Sequence, residues 1–230
     1  MTERGLRVAG AALIAIAAAW AGTRVYLART SPPKQSVRIP VGEASAPTAS
    51  DLIEAAAPAP PTIPERLPKF SLQGLDGRST PIDDWRGRSL VINFWATWCA
   101  PCRREIPLLE ALSGEWADRD VTVVGIAVDH REQVSAFAKA LKIGYPVLIG
   151  EQDALDVAGS LGVESPVFPF TVFTDRRGEV VALFIGELHR AQANLILAVV
   201  QNLNEDRLAL PEARRSITEG LHSLSIGKPS

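Results

Sequence analysis

Two apolar runs on either side of a helical stretch constrain the fold more than any other feature of this sequence. Residues 89–96 (SLVINFWA) and 121–128 (VTVVGIAV) contain few polar side chains and are rich in Val and Ile, as is typical of strands covered on both faces of a sheet. Between them, apolar residues recur with helical period over residues 101–116. A strand, a helix and a second strand in this order predict a parallel pair of strands and an α/β fold.

A hairpin is predicted before this unit, and strands and helices alternate after it. Residues 70–85 alternate around Gly-Asp turn signals, and residues 168–186 contain two strand patterns joined by the turn Asp-Arg-Arg-Gly. The segment YPVLIG predicts a short strand. Helical patterns cover residues 131–142, 153–162 and 188–203.

Two of the predicted helices have an apolar face that we expect to point inward. In the helix at 131–142 this face consists of Val134, Phe137 and Leu141. A weaker pattern near the end of the chain predicts a loose amphipathic helix at 211–224. Its inward residues are expected to be Ile217, Leu221 and Leu224.

The amino terminus has the pattern of a membrane-targeting segment. A short basic stretch precedes residues 8–23, which carry no charge, and these 16 residues are close to the lower limit of about 17 for a spanning helix. We predict that residues 1–29 form a signal anchor, a transmembrane helix that stays in the membrane. The alternative is a signal peptide cleaved after Ala21, which would leave a soluble periplasmic protein.

Composition divides the remaining chain into a linker, a globular domain and a tail. Residues 30–66 are rich in Pro, Ala, Ser and Thr with few large apolar side chains, so they predict a disordered linker. Residues 67–204 carry the strand and helix patterns of one domain. Residues 205–230 form a tail, part of which is predicted to be helical.

Charge and cysteine content exclude two classes of protein. The chain has 24 Lys and Arg against 26 Asp and Glu, and no basic run interleaved with aromatics, so a nucleic-acid partner is not predicted. Two cysteines in total cannot form a framework of stapling disulfides.

Those two cysteines lie close together in the segment FWATWCAPCRRE, where Cys99 and Cys102 flank Ala100 and Pro101. Such a pair can be a redox pair, half of a metal site or an inert staple. Cys99 falls where a buried strand ends and a helix begins, and the N–H groups of a helix N-terminus favour a thiolate. Cys102 follows one turn later, close enough to form a disulfide. Pro101 suits the first helical turn.

Several segments together resemble the TlpA/ResA-like family of membrane-anchored thioredoxins: DDWRGRSLVINFWATWCAPCRREIPLLEAL, VVGIAVD, YPVLIG and FPFTVFTDRRGEVV. The resemblance covers about residues 67–204. It implies a thioredoxin-like fold, with a central mixed sheet and helices on both faces, preceded by the transmembrane helix and the linker. It also implies a thiol–disulfide oxidoreductase with no cofactor beyond a redox-active Cys99–Cys102 disulfide.

The resemblance assigns roles to residues around the cysteines. Glu105 is expected to be a buried acid that helps to move the proton of Cys102, the alternative being a solvated glutamate paired with an arginine. Ala100 and Pro101 between the cysteines are similar to the dipeptide of reducing thioredoxins and are expected to tune the redox pair towards reduction.

A cis proline that faces the cysteines is also expected from the resemblance. Pro169 is the predicted cis proline, and Pro166 is the rival in a segment longer than the family pattern. Phe168 is then expected to face the substrate. Trp98 is expected to flank the docking groove, with plain core packing as its alternative.

The resulting functional hypothesis is an exported, membrane-tethered reductase of protein disulfides. Its expected partners are a disulfide-containing exported protein, such as apocytochrome c during cytochrome c maturation, and a membrane thiol donor that reduces the enzyme again. The expected location is the bacterial inner membrane, with a single span and the catalytic domain on the periplasmic or outer side. The alternative function is a carrier of copper or another soft metal bound by the two thiolates. A structural zinc site is not predicted, because it needs four ligands.

Overall fold

A computed structural model describes residues 63–226, which contain a seven-stranded mixed sheet and five α-helices. The strands are β1 (Ser71–Gly74), β2 (Ser79–Pro81), β3 (Ser89–Trp95), β4 (Val121–Val128), β5 (Val147–Gly150), β6 (Phe170–Thr174) and β7 (Val180–Ile185). The helices are α1 (Ala100–Glu115), α2 (Arg131–Leu141), α3 (Gln152–Ser160), α4 (Arg190–Asn204) and α5 (Leu210–Ile226). Short 3-10 helices lie at Ile82–Trp85 and Ala117–Arg119.

The predicted parallel pair forms the centre of the sheet. The strand order is β2-β1-β5-β4-β3-β6-β7. Strand β3 pairs with β4 in parallel and with β6 in antiparallel orientation, and all seven residues of β3 are buried. Strand β5 extends the parallel part, and the hairpins β1–β2 and β6–β7 close the two sides. This is the thioredoxin-like arrangement that the sequence predicted.

Both faces of the sheet are covered, because successive side chains of a strand point to opposite faces. Val91 and Trp95 of β3 belong to one apolar cluster, together with residues of α1, α2, α4 and α5. Ile92 and Phe94 belong to a second cluster, which α3 and the first 3-10 helix complete. The uninterrupted apolar run in β3 therefore reflects burial on both sides.

Helix α4 begins two residues later than predicted. The N–H of His189 is bonded to the side chain of Gln192 at 2.8 Å, and the helix starts at Arg190. Leu188 is buried as expected, yet it lies in the loop before the helix. Its backbone N–H is consequently free of helical bonding and available to another acceptor.

Two apolar residues expected to point inward are largely exposed. Leu141 is 45% exposed because α2 ends at this residue, beyond the region covered by the core. Leu224 is 37% exposed in the last turn of α5. Val134 is buried, and Phe137 and Leu221 pack against the core.

The globular body extends past both predicted boundaries. The predicted linker ended at Arg66, but the N–H of Val180 donates to the carbonyl of Glu65 at 2.8 Å and Arg66 pairs with Glu179. At the other end, α5 packs against α4 and β7 and is part of the body, although the domain was predicted to end at residue 204. Ala213 and Ile217 of this helix are buried.

The predicted signal anchor at residues 1–29 and nearly all of the predicted linker lie outside the described residues. Within residues 63–226, no helix has the length and apolar character needed to cross a membrane.

Candidate active site

The two cysteines lie where β3 leads into α1. Strand β3 ends at Trp95, a turn follows in which the N–H of Cys99 donates to the carbonyl of Ala96 at 3.2 Å, and the helix begins at Ala100. Cys99 is the N-cap residue of α1, and its sulfur accepts a hydrogen bond from the N–H of Cys102 at 3.2 Å. The sulfur of Cys99 is thus bonded to the first turn of the helix, where unpaired N–H groups favour negative charge.

Cys99 and Cys102 form a disulfide, with their Cα atoms 5.3 Å apart. Cys99 is 5% exposed, whereas Cys102 is completely buried. Cys99 is therefore the only residue of the pair with any exposed surface. Pro101 lies in the first turn of α1, and the second proline of the helix, Pro107, lies within it.

An exposed aromatic residue stands beside the disulfide. Trp98 is 69% exposed, which contradicts the alternative that it packs in the core. Its ring meets that of Phe168 edge-on, with the centroids 6.1 Å apart. Phe168 is followed by Phe170 at 6.2 Å, and Phe170 stacks on the buried ring of Phe94 at 4.3 Å. A row of aromatic rings therefore joins the surface at Trp98 to the core.

Pro169 follows Phe168 through a cis peptide bond, whereas the bond before the rival Pro166 is not cis. The antiparallel register places Phe94 opposite Phe170. Residues just before Phe170 consequently lie beside the residues that follow Phe94, so Phe168 and Pro169 face the turn that carries the cysteines. The carbonyl of Pro169 accepts a hydrogen bond from the N–H of Gly186 at 2.9 Å.

Glu105, one helical turn after Cys102, is a buried acid with only 1% of its surface exposed. One carboxylate oxygen accepts from Asn93 Nδ2 at 2.8 Å, and the other accepts from the N–H of Leu188 at 2.8 Å. Burial raises its pKa to about 7, and the two hydrogen bonds oppose this rise. The carboxyl group is therefore poised to gain or lose a proton near neutral pH.

Sequence reasoning missed the residues that hold Glu105. Asn93 is fully buried in β3, and its Nδ2 also donates to Thr171 of β6 at 3.0 Å. The signal for it was present, since Asn93 is the single amide in an otherwise apolar run. The N–H of Leu188 comes from a loop that Glu187 ties to Arg104 through a two-pronged ion pair. No sequence pattern indicated that contact, because it joins residues 83 positions apart.

A second missed contact fixes the turn that precedes the cysteines. The side chain of Asp129, which follows β4, accepts hydrogen bonds from both the N–H and the hydroxyl of Thr97. The other oxygen of Asp129 accepts from the N–H of His130 at 2.8 Å. Because β3 and β4 are parallel neighbours, their carboxyl ends meet, and this places Asp129 beside the turn.

The three histidines of the chain are surface residues. His130, His189 and His222 are all exposed, and His130 pairs with Glu151 at 2.9 Å. Within residues 63–226, no three or more His, Cys, Asp or Glu side chains are grouped as metal ligands.

Comparisons with known proteins agree with this geometry. The sequence profile of the AhpC/TSA family matches residues 63–183. The chain is 33% identical over 132 residues to the thioredoxin-like protein YneN of Bacillus subtilis, a match that covers 56% of this chain and 74% of YneN. It is 33% identical over 122 residues to the thiol-disulfide oxidoreductase ResA of Geobacillus thermodenitrificans, covering 53% of this chain and 68% of ResA.

A solved structure of a DsbF homologue from Corynebacterium diphtheriae superposes with a TM-score of 0.50 and 27% identity, covering 58% of this chain and 84% of that one. The family profile spans more than half of the chain and includes both cysteines. The chain therefore belongs to the AhpC/TSA family, and within it is a TlpA/ResA-like thiol–disulfide oxidoreductase.

Proposed function

We propose that the chain is an exported, membrane-tethered enzyme that reduces disulfides in other exported proteins. The observation that carries this proposal is the setting of Cys99: its sulfur caps the N-terminus of α1, it is the only residue of the pair with exposed surface, and it follows the exposed Trp98 in the chain. The Ala100–Pro101 dipeptide, similar to that of reducing thioredoxins, favours reduction over oxidation as the net direction.

The reaction transfers two electrons from the two enzyme thiols to one substrate disulfide. The thiolate of reduced Cys99 attacks one sulfur of the substrate disulfide, which forms a mixed disulfide and releases the first substrate thiolate. The thiolate of Cys102 then attacks the sulfur of Cys99. The enzyme disulfide forms, and the second substrate thiolate leaves and takes up a proton.

Glu105 is proposed as the acid–base group for Cys102. The buried Cys102 must lose its proton before it can attack, and water has no direct access to it. A carboxyl group with a pKa of about 7 can accept that proton one helical turn away. Asn93 and the N–H of Leu188 hold the carboxylate in place and stabilise its charged form.

The surface around Cys99 suits a polypeptide substrate. Trp98, Val167 and Ile185 are 69%, 68% and 54% exposed and provide apolar contact area around the turn and Phe168. A substrate segment that carries a disulfide can lie extended beside Phe168 and Pro169, as an added strand does. Exposed apolar side chains of this size favour a protein partner.

The redox cycle needs an electron source and a location. We propose that a membrane thiol donor reduces the Cys99–Cys102 disulfide after each turnover, and that no cofactor beyond this pair takes part. The N-terminal segment holds the enzyme in the bacterial inner membrane, with the catalytic domain on the outer side. The substrate is an exported protein, and apocytochrome c before haem attachment is one candidate.

Reduction of a disulfide-bonded peptide by the full chain, with the variants Cys99→Ser and Cys102→Ser, tests this proposal. Both variants are expected to lose turnover, because the reaction needs two thiols and each variant lacks one of them. Cys102→Ser is expected to accumulate a mixed disulfide through Cys99, visible as an added peptide mass that dithiothreitol removes. Cys99→Ser is the matched control and should trap nothing.

Metal binding by the same reduced samples tests the alternative function, a carrier of a soft metal. Cu(I) and Zn²⁺ are titrated against the full chain and both serine variants. Stoichiometric tight binding by the unsubstituted chain with no peptide reduction would replace the reductase proposal by the carrier. Trapping through Cys102 in the Cys99→Ser variant would overturn the assignment of the nucleophile.

A further inference from the structure

A cleft of about 490 Å³ lies at the end of the sheet opposite to the disulfide. Its walls are the loop before β3, the turn between β6 and β7, and the segment that leads into β1. Strand β3 starts at this cleft and ends near Cys99, and its seven residues span roughly 20 Å at about 3.3 Å each. The cleft is thus separate from the redox site.

The cleft is strongly cationic in a chain whose formal net charge is −2. Asp83 is the one carboxylate among its lining residues. Six cationic side chains line it: Arg66, Lys69, Arg86, Arg88, Arg176 and Arg177. These residues come from three separate segments, so only the fold gathers them into one place.

Arg88 is held in position by neutral groups. Its Nε donates to the hydroxyl of Thr122 at 2.6 Å. Its Nη2 donates to the carbonyls of Ala117 and Val121 at 3.0 and 3.3 Å. These bonds fix the guanidinium, and its Nη1 also donates to the exposed carboxylate of Asp120 at 3.4 Å. A fixed cation of this kind loses little freedom when it binds an anion.

The other cations share few carboxylates. Lys69 and Arg86 both approach Asp83, at 3.5 and 2.8 Å, and Arg176 and Arg177 both approach Asp206, at 4.0 and 2.5 Å. All of these side chains are at least 42% exposed. Exposed ion pairs contribute little stability, so an incoming anion can take over such cations at small cost.

The Arg66 guanidinium donates to a backbone carbonyl, that of Arg177, at 3.2 Å, and it pairs with no carboxylate among residues 63–226. Asp175 and Glu179 in the β6–β7 region help to raise the pKa of Arg177 through their negative charge, but neither residue lines the cleft. The cleft walls therefore carry six cationic residues and one carboxylate, whereas Asp120, Asp175, Glu179 and Asp206 do not line the cleft.

One wall of the cleft is apolar. Trp85, Leu67, Ile82 and Leu90 line it together with the cations. Ile82 and Leu90 are buried, and Trp85 is partly exposed. The cleft thus offers an aromatic and aliphatic surface next to a group of planar guanidinium donors.

We propose that this cleft binds a phosphate ester, with the phosphate on the arginines and its apolar substituent against Trp85. Guanidinium groups match phosphate oxygens with paired hydrogen bonds, and a phosphate monoester carries close to two negative charges at neutral pH. The ester is either the headgroup of a membrane phospholipid, a diester with one negative charge on its phosphate, or a soluble monoester, because both present anionic phosphate oxygens beside an apolar substituent. The proposal does not depend on the redox function.

The test uses NMR of the ¹⁵N-labelled full chain in uncharged detergent. It follows the amide resonances of Gly87 and Gly178, which lie in the cleft walls. The probes are inorganic phosphate, phenyl phosphate, and monomeric dihexanoyl phosphatidylglycerol and dihexanoyl phosphatidylcholine. Saturable shifts are expected with phenyl phosphate or with phosphatidylglycerol, and the one that binds more tightly identifies the source of the ester. The resonances of Trp98 should not move.

The double variant Arg86→Gln with Arg177→Gln is expected to weaken binding at least about tenfold, since it removes two charged donors from the cleft. The matched control, Lys139→Gln with Arg215→Gln, removes two exposed charges outside the cleft and should leave affinity unchanged. Peptide reduction should be unchanged in both double variants. Absence of saturable shifts with every probe, or equal affinity in the Arg86 and Arg177 variant, overturns the proposal. Equal affinity for inorganic and phenyl phosphate overturns the role of the apolar wall.

Discussion

The carboxyl group of Glu105 shows how three distant segments determine the chemistry of one residue. Helix α1 carries it, β3 supplies the Asn93 amide, and the loop before α4 supplies the N–H of Leu188. Its burial raises the pKa from 4.5 to about 7, which corresponds to a cost of about 3 kcal/mol for holding the ionised form. Stability and catalysis therefore place opposing demands on this group.

Glu105→Gln is expected to abolish a pH dependence of stability in the oxidised chain. Because the folded pKa is raised, the folded state binds more protons than the unfolded state between about pH 4.5 and 7, so the wild type loses stability as pH rises through that window. Between pH 5 and pH 8 the free energy of unfolding of the wild type should fall by about 2 to 3 kcal/mol relative to that of the variant. Urea denaturation at the two pH values measures this shift.

The substitution is tolerable because Asn93 Oδ1 has no hydrogen-bond partner among the described residues, and a rotated Asn93 amide can accept from the new Gln amide. Glu219→Gln, at an exposed position of α5, is the control and should change the pH dependence by less than about 0.5 kcal/mol. Equal pH dependence in Glu105→Gln and the wild type would falsify the assignment of a raised pKa to this carboxyl.

At the scale of elements, α5 is the last helix of the body and, like α4, lies beyond the family match at residues 63–183. It approaches α4 so closely that a Cβ on Gly220 would lie 2.5 Å from a methyl carbon of Leu195. Arg214 donates to the carbonyl of Val180 in β7 through Nε at 3.2 Å and Nη2 at 2.6 Å. The helix therefore packs against β7, the edge strand of the sheet.

Ile217→Ala is expected to destabilise the oxidised chain by about 2 to 4 kcal/mol, because Ile217 is only 4% exposed and its removal leaves a cavity between α5 and the core. The same substitution at Ile226, which is 70% exposed in the same helix, should cost less than about 0.5 kcal/mol. Chemical denaturation of the two variants measures both values. A loss below 0.5 kcal/mol for Ile217→Ala would mean that α5 does not contribute to the stability of the body.

At the scale of the whole molecule, the two apolar clusters hold the body together, and the disulfide adds little. The clusters enclose both faces of the sheet and bury large side chains such as Trp95, Phe94 and Phe173. The disulfide joins residues only three positions apart, so it restricts the unfolded chain by about 2 kcal/mol at most in the chain-entropy account. The active site can therefore be reduced and oxidised without loss of the fold.

Reduction with excess dithiothreitol is expected to leave the far-ultraviolet circular dichroism unchanged and to lower the free energy of unfolding by no more than about 2 kcal/mol. Cys99→Ser and Cys102→Ser should have the stability of the reduced chain. Thermal and urea unfolding of the oxidised and reduced forms make the comparison. Non-cooperative unfolding after reduction would show that the disulfide, and not the core, maintains the body.

The sequence by itself determined the central strands, the helix between them, the cysteine pair and the identity of Pro169 and Glu105 as residues of interest. The strands, the helix and the cysteine pair follow from short-range patterns, because apolar runs and periodicity report burial and closely spaced cysteines are visible in one segment. Glu105 and Pro169 follow from the resemblance to the TlpA/ResA-like family. Only the tertiary structure decided that Asn93, Leu188 and Asp129 support the site, that Trp98 is exposed, and that six cations share one cleft. Those contacts join segments far apart in the chain, and the strand register and helix packing that bring them together leave no local trace in the sequence.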